Sequence, residues 1–158
     1  MTPLLEFFVP GIPRPAGSKT AFALKKGGVY TGRAIVTDAS GARGREWRQD
    51  VKQAAIAAMD GRDILTGAIE VQLKFFMPRP KGHYGTGKNA YEIKASAPDY
   101  HTGKPDVLKL ARGTEDAMTG IVYRDDSATT TLNLQKKYAL PGQVPGVSVI
   151  IYEETGNH

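Results

Sequence analysis

The spacing of hydrophobic residues changes period several times along the chain, and each change marks an element. Residues 4–9 form an apolar run closed by Pro10-Gly11, which predicts a first strand. Ala21 to Leu24 and Val29 to Tyr30 flank Lys25-Lys26-Gly27-Gly28, the pattern of a hairpin, and Ala34 to Thr37 reads as a further short strand. From about Gly44 to Met59 the period becomes helical. Trp47, Val51, Ala54, Ala55 and Ala58 share one stripe, with Arg45, Arg48, Lys52 and Gln53 off it. On that stripe Trp47 is a core or interface anchor rather than a base-stacking residue. Ala68 to Met77 alternates Ile69, Val71, Leu73 and Phe75 with other residues until Pro78, the clearest strand in the sequence.

A long aperiodic segment follows, from Arg79 to about Gly103, of a length usually functional or disordered. Beyond it the pattern predicts a helix over about 106–119, an extended return over about 120–126, and strands over about 128–139 and Val144 to Tyr152. A polar tail begins near Glu153. On the second helix Leu110, Thr114, Val107, Met118 and Ala111 share an arc of about 100°, the buried face. Asp106, Lys109, Arg112 and Asp116 lie opposite, and Leu108 at the margin reads as a widening of the apolar face. Pro105 suits the first turn, and Asp106 suits the positive end of the helix dipole. With no repeat and no boundary in view, the expected fold is a single compact α+β domain over 1–158. It would pack a small mixed or antiparallel sheet with two main helices.

A chain of 158 residues, 41% hydrophobic and 23% charged, has enough apolar material for a real core. It has no cysteine, which excludes disulfides, thiolate zinc sites and cysteine nucleophiles. The N-terminal apolar run is too short for a signal or membrane segment, so a cytoplasmic protein without a membrane partner is expected. The net charge of +5 favours a polyanionic partner. Arg79, Lys81, Lys88, Lys94 and Lys104 in the long segment face only Glu92 and Asp99, with Tyr84, Tyr91 and Tyr100 interleaved. Such a segment fits DNA contact and a solvated loop alike. Arg14 and Lys19 make the 12–20 segment basic at both ends, and His83 and Lys109 complete the set of DNA-facing candidates. Gly82 to Asn89 imitates a phosphate-cradling loop, but Asn89 lacks the magnesium-binding hydroxyl and no helical pattern follows. No nucleotide cofactor is expected. His83, His101 and His158 show no metal-ligand spacing.

The acidic residues carry the chemistry. A helix over 106–119 rises ~20 Å, and an extended return over 120–126 covers ~20 Å, so an antiparallel fold-back lands Asp126 beside Asp106. Alternation lets only one of Asp125 and Asp126 point there. Carboxylates converging amid lysines and arginines point to a metal-dependent enzyme acting on a phosphodiester. Helix capping by Asp106 and an ordinary acidic turn at Arg124-Asp125-Asp126 explain the same residues without chemistry.

Lys104-Pro105-Asp106-x-x-Lys109-Leu110, Glu115-Asp116-Ala117-Met118-Thr119-Gly120 and Val122-Tyr123-Arg124-Asp125-Asp126 together resemble the RusA-type Holliday junction resolvases, particularly their phage-borne members. The likeness extends to Phe76-x-Pro78-Arg79-Pro80-Lys81, His83-Tyr84-Gly85-Thr86-Gly87 and Val9-Pro10-Gly11. It implies a homodimer that binds four-way junction DNA and, with magnesium or manganese, resolves it by paired nicks in a bacterial or phage-infected cell. It also implies metal carboxylates at Asp106 and Asp126 and a catalytic cation at Arg112. The family's Asp-x-Asp motif puts its second aspartate at Leu108, so this chain departs from the pattern at a ligand. Glu115 lies two turns on, within ~20° of Leu108 around the axis though ~10 Å along it. It is therefore the candidate supplement to the metal site, with Asp125 next and Asp116 set to pair with Arg112 or Lys109; the alternative is an exposed glutamate making an ordinary helix-surface interaction. The rivals are a junction-binding protein that has lost catalysis and an unrelated basic binding module.

Overall fold

Alternation along β4 (Ile69–Met77) buries Ile69, Val71, Leu73, Phe75 and Met77 on one face, and this face organises the core. The computed structural model describes residues 1–16, 19–26, 29–38 and 41–156, with side chains over 1–16 and 41–156. The remaining strands are β1 (Leu5–Pro10), β2 (Lys19–Lys26), β3 (Val29–Asp38), β5 (Thr129–Tyr138) and β6 (Gly146–Glu153). The two helices are α1 (Gly41–Met59) and α2 (Val107–Met118). A mixed sheet takes the order β1-β6-β4-β5, antiparallel except for the parallel β4–β5 pair. Val147, Val149 and Ile151 of β6 and Leu5 and Val9 of β1 continue the buried face. Against it pack Trp47, Val51, Ala55 and Met59 of α1 and Leu110, Ala111, Ala117 and Met118 of α2. The molecule is a single α+β domain of two layers, as the patterning implied.

β2 and β3 form a separate antiparallel hairpin, Lys26 pairing with Val29 and Lys19 with Asp38. Ala34 to Thr37 is thus the continuation of one ten-residue strand, not a strand of its own. The turn glycines Gly27 and Gly28, and the side chain of Lys19, lie outside the described residues. Trp47 is an interior anchor as expected, 3% exposed, with its ring against Gly11.

Three further expectations need correction. The extended return over 120–126 is instead a set of turns followed by a single 3-10 turn, Asp126–Ala128, and the chain does not run back until β5. Parallel strands demand a crossover connection, and α2 supplies it, so the helix runs against both β4 and β5. Residues 79–103 are not structureless: Gly85 N–H donates to Glu92 O and Lys94 N–H to His83 O, folding the segment on itself. Gly85 is required there, since a Cβ would lie 2.6 Å from Asn89 O. Finally, Leu108 does not widen the buried face. It is 70% exposed, while Leu110 is fully buried.

That contrast predicts opposite outcomes for two truncations of the same residue type. Leu110→Ala is expected to lower unfolding free energy by about 2–5 kcal/mol, and Leu108→Ala to change it by less than about 0.5 kcal/mol. Urea unfolding of both variants checks this; a Leu108→Ala loss as large as that of Leu110→Ala would contradict the exposed placement.

Candidate active site

Asp106 is the N-cap of α2, its carboxylate Oδ1 accepting from Lys109 N–H at 2.8 Å. The residue that β5 brings to this end of the helix is Lys136. Its ammonium donates to Gly103 O and Pro105 O, each at 2.6 Å, and pins the turn that leads into Asp106. Burial holds the Lys136 ammonium below the ordinary lysine range, with the Asp106 carboxylate pulling the other way. Lys104, Lys109 and Lys136 line a cavity of about 610 Å³ with Pro15, Thr102 and Asp106. Segment 12–16 closes its side: Ala16 N–H donates to Lys109 O, and the chain passes so close to Gly113 that a Cβ there would sit 3.2 Å from Ala16 N.

The acids gather at the other end of α2. Glu115 is half-buried, and Thr129 Oγ1 donates to its Oε2 at 3.0 Å. Burial raises the Glu115 carboxyl above the usual range, and the charges of Asp126 and Asp116 push it further up against the Thr129 hydrogen bond. Asp125 accepts from Ser127 N–H at 2.9 Å, which lowers it. Asp126 is raised, first by its hydrogen bond with Asp125 and then by burial, so the two titrate as a pair. The Tyr123 phenol, also pushed strongly upward by burial and by Glu115, donates to Glu115 O at 2.9 Å and fixes the last turn of α2.

Asp126 is therefore grouped with Glu115 and Asp116 rather than set against Asp106. From Asp106 to Glu115 the helix rises ~13 Å, and because α2 opposes β5, the start of β5 meets the end of α2. Asp116, expected to pair with Arg112 or Lys109, instead adds its charge to Glu115 and Asp126. Leu108, Arg112 and Glu115 follow one another at i, i+4 and i+7 along one exposed-to-half-buried stripe.

The strand register supplies the facing wall. Ile69 pairs with Thr129, Val71 with Leu132, Leu73 with Leu134 and Phe75 with Lys136. An irregularity between Ile69 and Glu70 shifts the count by one residue, so Thr129, Leu132, Leu134, Lys136 and Tyr138 all share the face that α2 covers. Lys136 was missed in the sequence although a signal existed: it has the same parity as Leu132 and Leu134, and counting it onto the leucine face puts it beside the helix.

The expected DNA-facing residues separate into engaged and exposed ones. Arg79 donates from Nε to Ala139 O and from Nη1 to Pro98 O, and its guanidinium lies 5.1 Å from the Tyr138 ring centre. Its job is structural, strapping the long loop to the sheet. His83 and His101 both meet Tyr138 edge-on, and Tyr84 is half-buried in a bridge with Ile93. Lys81, Lys88, Lys104 and Lys109 are exposed, and Arg14 is half-buried.

Among the described residues, no three histidine or acidic side chains converge closely enough to enclose a metal ion. Magnesium asks for less, since it commonly keeps several waters and takes one or two carboxylates plus substrate phosphate. Glu115 and Asp126 fit that requirement chemically. Both offer hard oxygen donors; burial raises the Glu115 carboxyl and the hydrogen bond with Asp125 raises that of Asp126, and in each the nearby acids add a smaller push that a cation would relieve.

An uncharacterised protein of Bacillus subtilis, YqaN, is 29% identical over 139 residues, covering 87% of this chain and 92% of its own length. The family model for endodeoxyribonuclease RusA matches residues 13–152, a span that takes in both ends of α2, the acidic turn and the whole of β5. The chain belongs to the RusA endodeoxyribonuclease family.

Proposed function

We propose that this protein is a divalent-cation-dependent endodeoxyribonuclease that acts as a homodimer and nicks four-way DNA junctions. The observation that carries the reading is the grouping of Glu115, Asp116, Asp125 and Asp126 at the end of α2 in a chain of this family. Glu115 and Asp126 hold the cation, with Asp125 orienting Asp126 through their hydrogen bond. A magnesium or manganese ion there supplies charge stabilisation to a phosphate and lowers the pKa of an attacking water. Arg112, one turn before Glu115, offsets the negative charge that grows on the phosphate. Lys104, Lys109 and Lys136 hold a neighbouring backbone phosphate at the start of the helix, with Lys81 and Lys88 extending the basic surface. Leu108 offers no oxygen, and Glu115 is the next acid along the same stripe. Loss of catalysis with retained binding is the second reading, favoured by the exposed leucine where the family carries a ligand.

Incubation with a labelled four-way junction, with and without magnesium or manganese, separates the readings. Nicking only with metal is expected; tight binding without nicking under any metal would assign the impaired form. Asp126→Asn is expected to abolish nicking while leaving junction binding intact or tighter, because it removes a ligand and a negative charge facing phosphate. Asp106→Asn is a sharper test of the other carboxylate, because asparagine caps a helix as well as aspartate does. A ligand role for Asp106 requires that nicking be lost, and parental rates would reduce it to a cap. Binding by all these forms should weaken steeply with salt, and neutralising Lys81 and Lys88 together should lower the slope.

The raised Glu115 carboxyl gives a prediction independent of DNA. The folded chain binds this proton more tightly than the unfolded chain does. Its contribution to stability is therefore greatest below the ordinary glutamate range and declines as pH rises through the raised value. Glu115→Gln keeps an acceptor for Thr129 and removes the charge. It is expected to raise the melting temperature by roughly 2 °C at neutral pH, with the difference vanishing near pH ~4. Thermal unfolding across that range decides it, and a lower melting temperature at pH 7 would show that the charged Glu115 carboxylate is not penalised by burial and its neighbours.

A further inference from the structure

A second concave surface adjoins the acidic turn on the side away from the lysines. Asp63, Ile64, Leu65 and Gly67 form one wall, Arg124, Asp125 and Ala128 the other, and the cavity between them measures about 570 Å³. That volume falls within the roughly 300–1,000 Å³ typical of small-molecule sites. The walls are tied together: Leu65 N–H donates to Val122 O at 2.8 Å, and Leu65 bridges Tyr123 in parallel register. Tyr123 is fully buried, so the groove sits on a rigid base. Ile64 is 39% exposed, a bulky apolar side chain left in the open. Asp63 and Arg124, both exposed, put one carboxylate and one guanidinium on the same groove.

We infer that this groove receives an unpaired guanine base next to the phosphate that is cut. The inference rests on the nuclease reading above and extends it to base recognition. Three features converge on that occupant. Ile64 and Ala128 offer an apolar surface for the flat face of a base, as expected where a base leaves the stack. Arg124 presents two parallel donors, which match the adjacent O6 and N7 acceptors of guanine. Asp63 presents two acceptors, which match the adjacent N1–H and N2–H donors; no other DNA base carries two such donors side by side. The groove is also continuous with the proposed reaction site, because Asp125 lines it and shares a hydrogen bond with Asp126. A junction's branch point interrupts pairing, which makes an extruded base least costly there.

The test uses the full chain and a set of four-way junctions that differ only in the bases flanking the nick. With magnesium, the parent is expected to favour guanine at one fixed flanking position by about tenfold over the other bases. Inosine, which lacks the N2 amine, should lose most of that preference. Arg124→Ala and Asp63→Ala should each bring the four bases within about twofold of one another. Arg124→Lys, which keeps the charge but loses the paired donors, should do the same. Nicking by the parent with no base preference, or a preference that survives in both alanine variants, overturns the subsite while leaving the nuclease reading intact. A parent that nicks no junction removes both.

Discussion

The parallel pairing of β4 with β5 is the constraint from which the rest of the site follows. Two parallel strands cannot be joined by a tight turn, so the chain must leave the end of β4, cross the sheet and re-enter at the start of β5. In this protein the crossing is made by the 79–103 segment and α2, and the helix runs opposite to the strands it joins. Whatever stands at the end of α2 therefore meets the start of β5, and whatever stands at its beginning meets the end of β5. Glu115 finds Thr129 and Asp106 finds Lys136 for this single reason. The acids and the lysines occupy opposite ends of α2 because the sequence distributes them to opposite ends of the two elements.

Much of this was legible in the chain, and the failures have one source. The two helices, the β4 alternation and the capping role of Asp106 followed from local rules, since periodicity and helix-end chemistry depend on neighbours a few residues away. The fold-back estimate that sets Asp126 beside Asp106 takes the wrong segment for the return. It assumed that residues 120–126 made the return, whereas Gly120, Tyr123 and the 3-10 turn at Asp126 hold them in turns and β5 makes it instead. Local pattern cannot tell which of two extended segments will carry a reversal. The one-residue shift between Thr129 and Thr131 was equally invisible, yet it puts Thr129 on the same face as Lys136.

The long basic segment shows the same division between composition and contact. Its cations were grouped by charge alone, but Arg79 is committed to carbonyl oxygens and to the Tyr138 ring. The far end of the segment adds to the sheet: Tyr138 N–H donates to Asp99 O, and His101 N–H to Lys136 O. An edge strand with free backbone groups is a site for unwanted pairing, and this return covers the second half of β5. Burial and the Lys136 charge hold His101 below its ordinary pKa, so it packs there as a neutral ring. The strap thus keeps Lys136 in the position from which it holds the turn before Asp106.

The distance between the two ends of α2 gives the proposed reaction a ruler. Asp106 and Glu115 are nine residues apart, or ~13 Å along the helix axis. A B-form duplex rises about 3.4 Å along its axis per base pair, so the span corresponds to roughly four base pairs of axial rise. In the proposed function, a duplex with its axis along α2 and a phosphate at Lys104, Lys109 and Lys136 would bring Glu115 and Asp126 level with the base pair about four steps further along that axis. The intervening wall is Leu108, Arg112 and Leu132, which offers one cation and two exposed leucines to the sugars between. Under the proposed function Leu108 is tolerable only if Glu115, two turns further along, supplies the acid that is missing beside Asp106. The proposed cutting position would then move with it, while the helix, the strand and the lysines stay where the crossover puts them.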